Sequence, residues 1–385
     1  MLVAVLAAAV HGRVLGVSTL PGAPGAKVLP RIVIIGGTGR IGTAVAEHLL
    51  ARAEPAQIML AGRDRARGEA AVAEVRRQRM GMFSLSRVEY LEVDWRDSGS
   101  LAASLNGAAA VVHTAGPYAG ETPDVLAAAI AAAVPVYVDL SDPVPYLRSA
   151  LELDGSAQSS GTLALCAAGA FPGLSNVLAM ECAGRLGDPV QDLAFSYFTA
   201  GLGGSGEINL YITNEGFGEE VPIFRSGEYA PQLDAGSGAR KVSFFLDADD
   251  ASDGTTSRSL VGERTVWNWP FPEGCTVAEA LRIRGDSSVG MGTAYAIAAW
   301  LHLFAPTSSA AALPLSPRPT PIRSPHHLTH TIGLSSGTPS WARWSLWCRG
   351  AGGRCLLSLS LTPTTLTSTL TLTLFLTPIP TLHPH

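Results

Sequence analysis

The chain has 385 residues, with 27 Lys and Arg against 32 Asp and Glu and a formal net charge of −5 at pH 7. No basic tract of the kind that neutralises a phosphate backbone follows from such a balance, so a nucleic-acid partner is not expected. Hydrophobic residues at 47% and charged ones at 15% exclude a chain disordered throughout, and the length suggests two or three domains.

The charges are unevenly spread. All acids lie between Glu47 and Asp286, so the last 99 residues, from Ser287, hold none. Only Lys27 and Lys241 are lysines. The five cysteines, Cys166, Cys182, Cys275, Cys348 and Cys355, form no Cys-x-x-Cys pair and have no histidine at ligand spacing. A reducing compartment without a structural metal is expected. No apolar run reaches the ~18–20 residues needed to span a bilayer. Residues 1–30, with Arg13, Lys27 and no acid, read either as an N-terminal extension or as the end of a transit peptide.

From Arg31, strand-like runs alternate with helical patterns. The runs at 31–36, 57–61, 88–93, 109–113, 136–140 and 162–167 read as strands, and those at 41–53, 65–79, 98–106, 123–133 and around 144–153 as helices. Connections of this length imply a right-handed, doubly wound parallel sheet, an α/β fold of Rossmann type over 31–173. Beyond it, 173–186 reads as a helix, with strands at 193–199 and 241–246, a Gly-rich stretch at 201–206 and a polar loop at 247–257. Residues 174–304 are therefore taken as a smaller α+β domain, and 305–385, with 11 of 26 prolines and a Leu/Thr-rich end, as a disordered, low-complexity tail.

The first strand runs into Gly36-Gly37-Thr38-Gly39-Arg40-Ile41-Gly42, which holds G-x-G-x-x-G between a strand and a helix. There Gly37 permits a tight turn, Gly39 lets the backbone approach a pyrophosphate, and Gly42 lets the helix pack on the strand. The helix N-terminus faces the phosphates with its N–H groups. The second strand ends Gly62-Arg63-Asp64, so Arg63 can pair a 2′-phosphate, which favours NADP(H) over NAD. Alternatively Arg63 is solvated and Asp64 caps the next helix. Asp94 ends the third strand beside the adenine position, and Ala115, Gly116 and Pro117 follow the fourth on the nicotinamide side.

Proton chemistry has only weak candidates, His113, Tyr118 and Asp139, at strand ends. His113 reads more readily as a half-buried strand-end residue bonded to backbone, and Asp139 reads equally as a cap of the following helix. A Tyr-x-x-x-Lys pair is absent, since Ser237 precedes Lys241 by four and Ala23 precedes Lys27 by four.

In order and spacing, GGTGRIG, AGRD, VDW, HTAGPY, YVDLSD and AGAFPGLSN resemble the saccharopine dehydrogenase-like oxidoreductases, most closely the plant and algal, plastid-associated members. The resemblance extends through SYFTAGLGGSGEINL, EEVPIFRSGEY and NWPFPEGCTVAEALRI, covering about Arg31 to Phe304. It implies a Rossmann domain that binds NADP(H), a second domain for substrate or dimerisation, and hydride transfer with a small carbonyl, imine or amino-acid-derived substrate. The alternative is a family member that binds NADPH without turnover, as a regulatory or lipid-associated protein. A chloroplast location is implied, with the cytoplasm as alternative, and the partners expected are a small-molecule substrate and a second copy of the chain. Family members continue past the segment matching Gly290–Phe304 with more helix and strand, where this chain has its tail, so the second domain is expected to be incomplete.

Overall fold

A computed structural model describes residues 29–51, 55–78, 86–186, 189–200, 216–244, 262–293, 341–350 and 353–361. The first compact unit takes in the described residues up to Glu181 together with Phe271–Ala280. Strand β1 (Arg31–Ile35) is followed by helix α1 (Arg40–Leu50), β2 (Gln57–Gly62), α2 (Arg65–Gln78), β3 (Arg87–Glu92), α3 (Ser98–Leu105), β4 (Ala110–His113), α4 (Asp124–Ala131), β5 (Val136–Asp139), α5 (Val144–Glu152), α6 (Asp154–Ser160) and β6 (Leu163–Leu165). The six strands form one parallel sheet in the order β3-β2-β1-β4-β5-β6. The order reverses between β1 and β4, and a crevice opens there at the carboxyl ends of the strands.

Burial explains the alternation. In β1, Ile32, Val33, Ile34 and Ile35 are all at most 3% exposed, as a strand covered by helices on both faces requires. Residues Ile32 and Ile34 join one apolar cluster and Val33 and Ile35 the other. Helix α1 buries Gly42, Val45, Ala46, Leu49 and Leu50, the one-face spacing of a 3.6-residue period. Asp97 caps α3 by accepting from the Ser100 N–H, 3.3 Å away. The additional helix α6 (DGSAQSS) ends at Gly161 with φ 76°. Its Gly and three Ser are poor helix formers, so the sequence pattern runs past it.

Helix α7 (Leu174–Leu186) leaves the first unit. Then come β7 (Val190–Ala200), the short strands β8 (Glu220–Val221), β9 (Phe224–Arg225), β10 (Glu228–Tyr229) and β11 (Gln232–Leu233), β12 (Arg240–Ser243), β13 (Glu263–Asn268), α8 (Glu273–Leu281) and β14 (Ser287–Thr293). Helix α8 belongs mostly to the first unit, where Ser175 Oγ donates to Glu273 Oε1 (2.7 Å) and Asn176 Nδ2 to Thr276 Oγ1 (3.0 Å). The second unit is built on a mixed sheet, β12-β13-β14-β7-β15-β16, in which only β14 and β7 pair in parallel.

Two further strands, β15 (Trp341–Gly350) and β16 (Gly353–Leu361), lie within the segment read from sequence as a disordered, low-complexity tail. They form an antiparallel hairpin whose first strand pairs with β7. Leu357, Leu359 and Leu361 alternating with Ser358 and Ser360 is a two-residue period that the flanking Thr/Pro composition hides. A further departure is Cys182, which is disulfide-bonded and so is more than the apolar filler its sequence suggests. Residues 1–28, the Gly-rich stretch at 201–206, the polar loop at 247–257 and the rest of 305–385 lie outside the described residues, and no helix among those described is long and apolar enough to cross a membrane.

Since Ile34 has no exposed surface, Ile34→Ala should cost about 2–5 kcal/mol in urea unfolding with an unchanged m-value. Leu151→Ala, at a site 73% exposed, should shift the midpoint by less than about 0.5 kcal/mol equivalent; equal losses at the two sites would contradict the placement of the core.

Candidate functional site

The site begins with the loop from β1 to α1. Here Gly36, not Gly37, takes the left-handed conformation (φ 76°), and a Cβ on it would lie 2.8 Å from the backbone N of Ala115. The tight turn is thus made one residue earlier than the G-x-G-x-x-G spacing implies. A Cβ on Gly37 would lie 2.7 Å from both the Ile34 carbonyl oxygen and Leu60 Cα, so its role is close packing on β2. On Gly42 it would lie 2.6 Å from Gly37 Cα, so the helix sits directly on the loop. Gly39 is the N-cap of α1, and no side chain caps it. The first N–H groups of α1 therefore meet an anion with no competing carboxylate or hydroxyl.

Beside this loop lies a cleft of about 210 Å³. From the loop it is lined by Ile35, Gly36 and Thr38; from the end of β2 by Ala61, Gly62, Arg63, Asp64 and Arg67; from the end of β3 by Val93, Trp95 and Arg96; and after β4 by Ala115 and Gly116. Asp64 serves as the cap foreseen in the alternative reading, its Oδ1 accepting from the Arg67 N–H at 3.0 Å. Among the described residues, the Arg63 and Arg67 guanidiniums have no hydrogen-bond or ion-pair partner. The Arg96 guanidinium lies 4.2 Å from the centre of the Trp95 ring. Asp94 is outside the lining; its Oδ1 accepts from the Arg96 N–H (3.1 Å) and so shapes the turn that carries Trp95 and Arg96.

Of the residues expected from sequence to hold a cofactor, Thr38, Gly62, Arg63, Asp64, Ala115 and Gly116 line this cleft. Gly37, Gly39, Arg40, Ile41 and Gly42 form the turn and first helical turn behind it, and Pro117 follows Gly116 through a cis peptide bond. Sequence reasoning missed Arg67, Trp95 and Arg96. The first of these could have been found, since it lies four residues after Arg63 in the first turn of a helix already expected there.

The three proton-transfer candidates come together, but beneath the cleft surface. His113 is 2% exposed, Tyr118 6% and Asp139 0%. Four donors converge on Asp139: Tyr137 Oη on Oδ2 (3.0 Å), and Ser141 Oγ (2.6 Å), the Ser141 N–H (3.1 Å) and the Ala167 N–H (2.9 Å) on Oδ1. Tyr118 Oη donates to the His113 carbonyl (2.8 Å), and Tyr137 Oη stands 3.4 Å from His113 Nδ1. Trp95 meets the His113 ring edge-on at 5.5 Å, and Tyr118 does so at 5.1 Å. Burial lowers the His113 imidazole to about 4 against the pull of Asp139, so the ring is neutral at physiological pH. Burial also raises Asp142 to about 6 and pushes the Tyr118, Tyr137, Tyr146 and Cys166 groups upward. None of these groups lines the cleft.

A parallel sheet with this strand order, a glycine loop on an uncapped helix and a cationic cleft at the reversal of strand order define a dinucleotide-binding domain. Residues 32–165 match the family model of the saccharopine dehydrogenase NADP-binding domain, and the cofactor that this match indicates is NADP(H). No protein of curated function matches the chain. Among solved structures, the chain is similar to the NADPH-dependent quinone oxidoreductase QOR2 of Escherichia coli in complex with NADPH (21% identity, 44% of this chain and 56% of that one, TM-score 0.28). It is also similar to GenD2 of gentamicin A biosynthesis in complex with NAD (14%, 89% and 76%, 0.36) and to shikimate 5-dehydrogenase of Listeria monocytogenes (12%, 36% and 46%, 0.26). The chain spans little more than half the length of the quinone oxidoreductase.

The strand-end network has a measurable pH signature. The folded value of His113 lies below its ordinary 6.5, so between about 6.5 and about 4 the unfolded chain binds the extra proton and stability falls as pH falls. Asp142 is raised from 3.8 to about 6, so between about 6 and 3.8 the folded state binds the extra proton and stability rises as pH falls. The two oppose each other between pH 6 and 4. Urea midpoints of Asp142→Asn should therefore drop more steeply over that range than those of the unsubstituted chain, and those of His113→Gln less steeply; parallel curves would show that neither group carries the linkage.

Proposed function

We propose that the protein is an NADP(H)-dependent oxidoreductase of saccharopine dehydrogenase-like type, acting by hydride transfer on a small carbonyl, imine or amino-acid-derived substrate. The observation that carries this reading is the cleft itself: Arg63 and Arg67 stand without partners beside the uncapped N-terminus of α1. Anionic groups at two places, a pyrophosphate at the loop and a phosphate at the arginines, fit that distribution of positive charge.

When bound, NADP(H) supplies or accepts the hydride. The chain's own part is to hold and orient it. The Gly36–Gly42 loop and the first N–H groups of α1 hold the pyrophosphate. Arg63 and Arg67 would hold the 2′-phosphate, and Thr38 packs closely on Gly62, where a Cβ would lie 3.1 Å from the Thr38 side chain. Ala115 and Gly116 form the wall on the nicotinamide side. The closeness to plastid-associated proteins, a chloroplast location and a homodimer belong to the same reading and rest on the sequence resemblance.

A second reading, NADPH binding without turnover, is favoured by one observation. The His113, Tyr118 and Asp139 side chains are buried and bonded to Tyr137, Ser141 or strand-end backbone, and none lines the cleft. NADPH consumption with saccharopine, imines and aldehydes decides between the two, since intact binding with no turnover of any class supports the second.

The cofactor assignment has its own measurement. By NADPH fluorescence, Arg63→Ala should weaken NADPH about 10–100-fold and leave NADH within about twofold, because a charge-assisted bond to phosphate is lost only with the phosphorylated cofactor. A preference of the unsubstituted chain for NADH would overturn the assignment.

A further inference from the structure

Arg96 differs from the other two arginines of the cleft in having a partner. Its Nη2 donates to Glu121 Oε1 at 2.5 Å, while its guanidinium rests on the Trp95 ring. Glu121 lies between β4 and α4, outside the cleft lining. The two side chains are 48% and 30% exposed, so water screens the pair and holds it weakly. The Trp95 face fixes the guanidinium plane at the cleft wall whether or not Glu121 is engaged. One carboxylate thus occupies part of a five-donor fork that shares its cleft with Arg63 and Arg67.

A 2′-phosphate carries more negative charge than a carboxylate and offers three acceptor oxygens. Entering a cleft with three guanidiniums, it meets Arg96 as a competitor of Glu121. We propose that Arg96 is the third cation of the 2′-phosphate end of the cleft, and that Glu121 sets how strongly the cleft prefers a phosphorylated cofactor by competing for the same guanidinium. Arg96 is then a specificity-determining residue, and Glu121 is a positioning residue that acts through it. This rests on the NADP(H) reading above.

The test is a double-mutant cycle on the full chain, with NADPH and NADH affinities measured by fluorescence. Glu121→Gln removes the competing charge and keeps the size; it should tighten NADPH about fivefold and leave NADH unchanged. Arg96→Ala should weaken NADPH about tenfold with NADH within about twofold, and Arg96→Lys, which keeps charge without the fork, should fall between. In the Arg96→Ala background, Glu121→Gln should have no further effect. Equal weakening of both cofactors by Glu121→Gln would overturn the proposal and make the pair a structural joint. Persistence of the Glu121→Gln effect without Arg96 would overturn it too, because the carboxylate would then be acting on the cofactor directly. Melting temperatures screen for misfolding, and if Arg96→Ala does not fold, Arg96→Lys carries the cycle. Loss of NADPH in Arg63→Ala with unchanged binding in Arg96→Lys and Glu121→Gln would sink this inference alone; no NADPH binding by the unsubstituted chain would sink the cofactor reading beneath it.

Discussion

A carboxylate with no exposed surface organises the carboxyl ends of the strands. Asp139 closes β5, and burying such a group is costly unless donors replace the water it loses. The Tyr137 and Ser141 hydroxyls and the Ser141 and Ala167 N–H groups do so. Because the Ala167 N–H follows β6 and Tyr137 reaches toward His113 at the end of β4, one side chain ties together three neighbouring strand ends. A backbone with φ 55° at Ala167, uncommon for a residue with a Cβ, is held by that contact. The wall beside the cleft inherits its shape, since Ala115 and Gly116 leave β4 directly after His113.

The opposite side of the strand reversal obeys a different constraint, the closeness of one backbone to another. At Gly36 the loop passes so near Ala115, and at Gly42 the helix so near Gly37, that a methyl group at either would have to displace main chain. This proximity brings the uncapped end of α1 to the cleft. An anion there would meet main-chain N–H groups that need no particular side chain, with the arginines of the cleft opposite.

That difference explains what was legible in the sequence. Strands buried on both faces, such as Ile32–Ile35, announce themselves as apolar runs, and a glycine loop between strand and helix is a local pattern, so the first unit and its phosphate loop could be read directly. The place of Arg63 in the cleft lining was legible because it is counted from the loop. Trp95 and Arg96 were not, since their role depends on β3 lying beside β2, a tertiary fact. The hairpin of β15 and β16 was hidden by composition, and its pairing with β7 spans more than a hundred residues that no local period connects. The proton-transfer candidates were found as residue types, but burial turned them into a network that leaves the cleft wall to Trp95, Ala115 and Gly116.

Arginine in place of lysine also has a physical consequence here. The shortage of lysine could be read as mere composition, yet three arginines meet at one cleft, and an arginine keeps its charge at any working pH while offering a fork to phosphate. That side of the crevice is therefore lined by guanidiniums. The strand-end network beneath it is of another kind, with burial lowering His113 and raising Asp142. A pH change between about 6 and 4 therefore acts on the buried strand-end groups beneath the cleft. The cationic lining of the cleft and the titrating groups beneath it are in this way separated along one sheet edge, the first carried by Arg63, Arg67 and Arg96 and the second governed by burial.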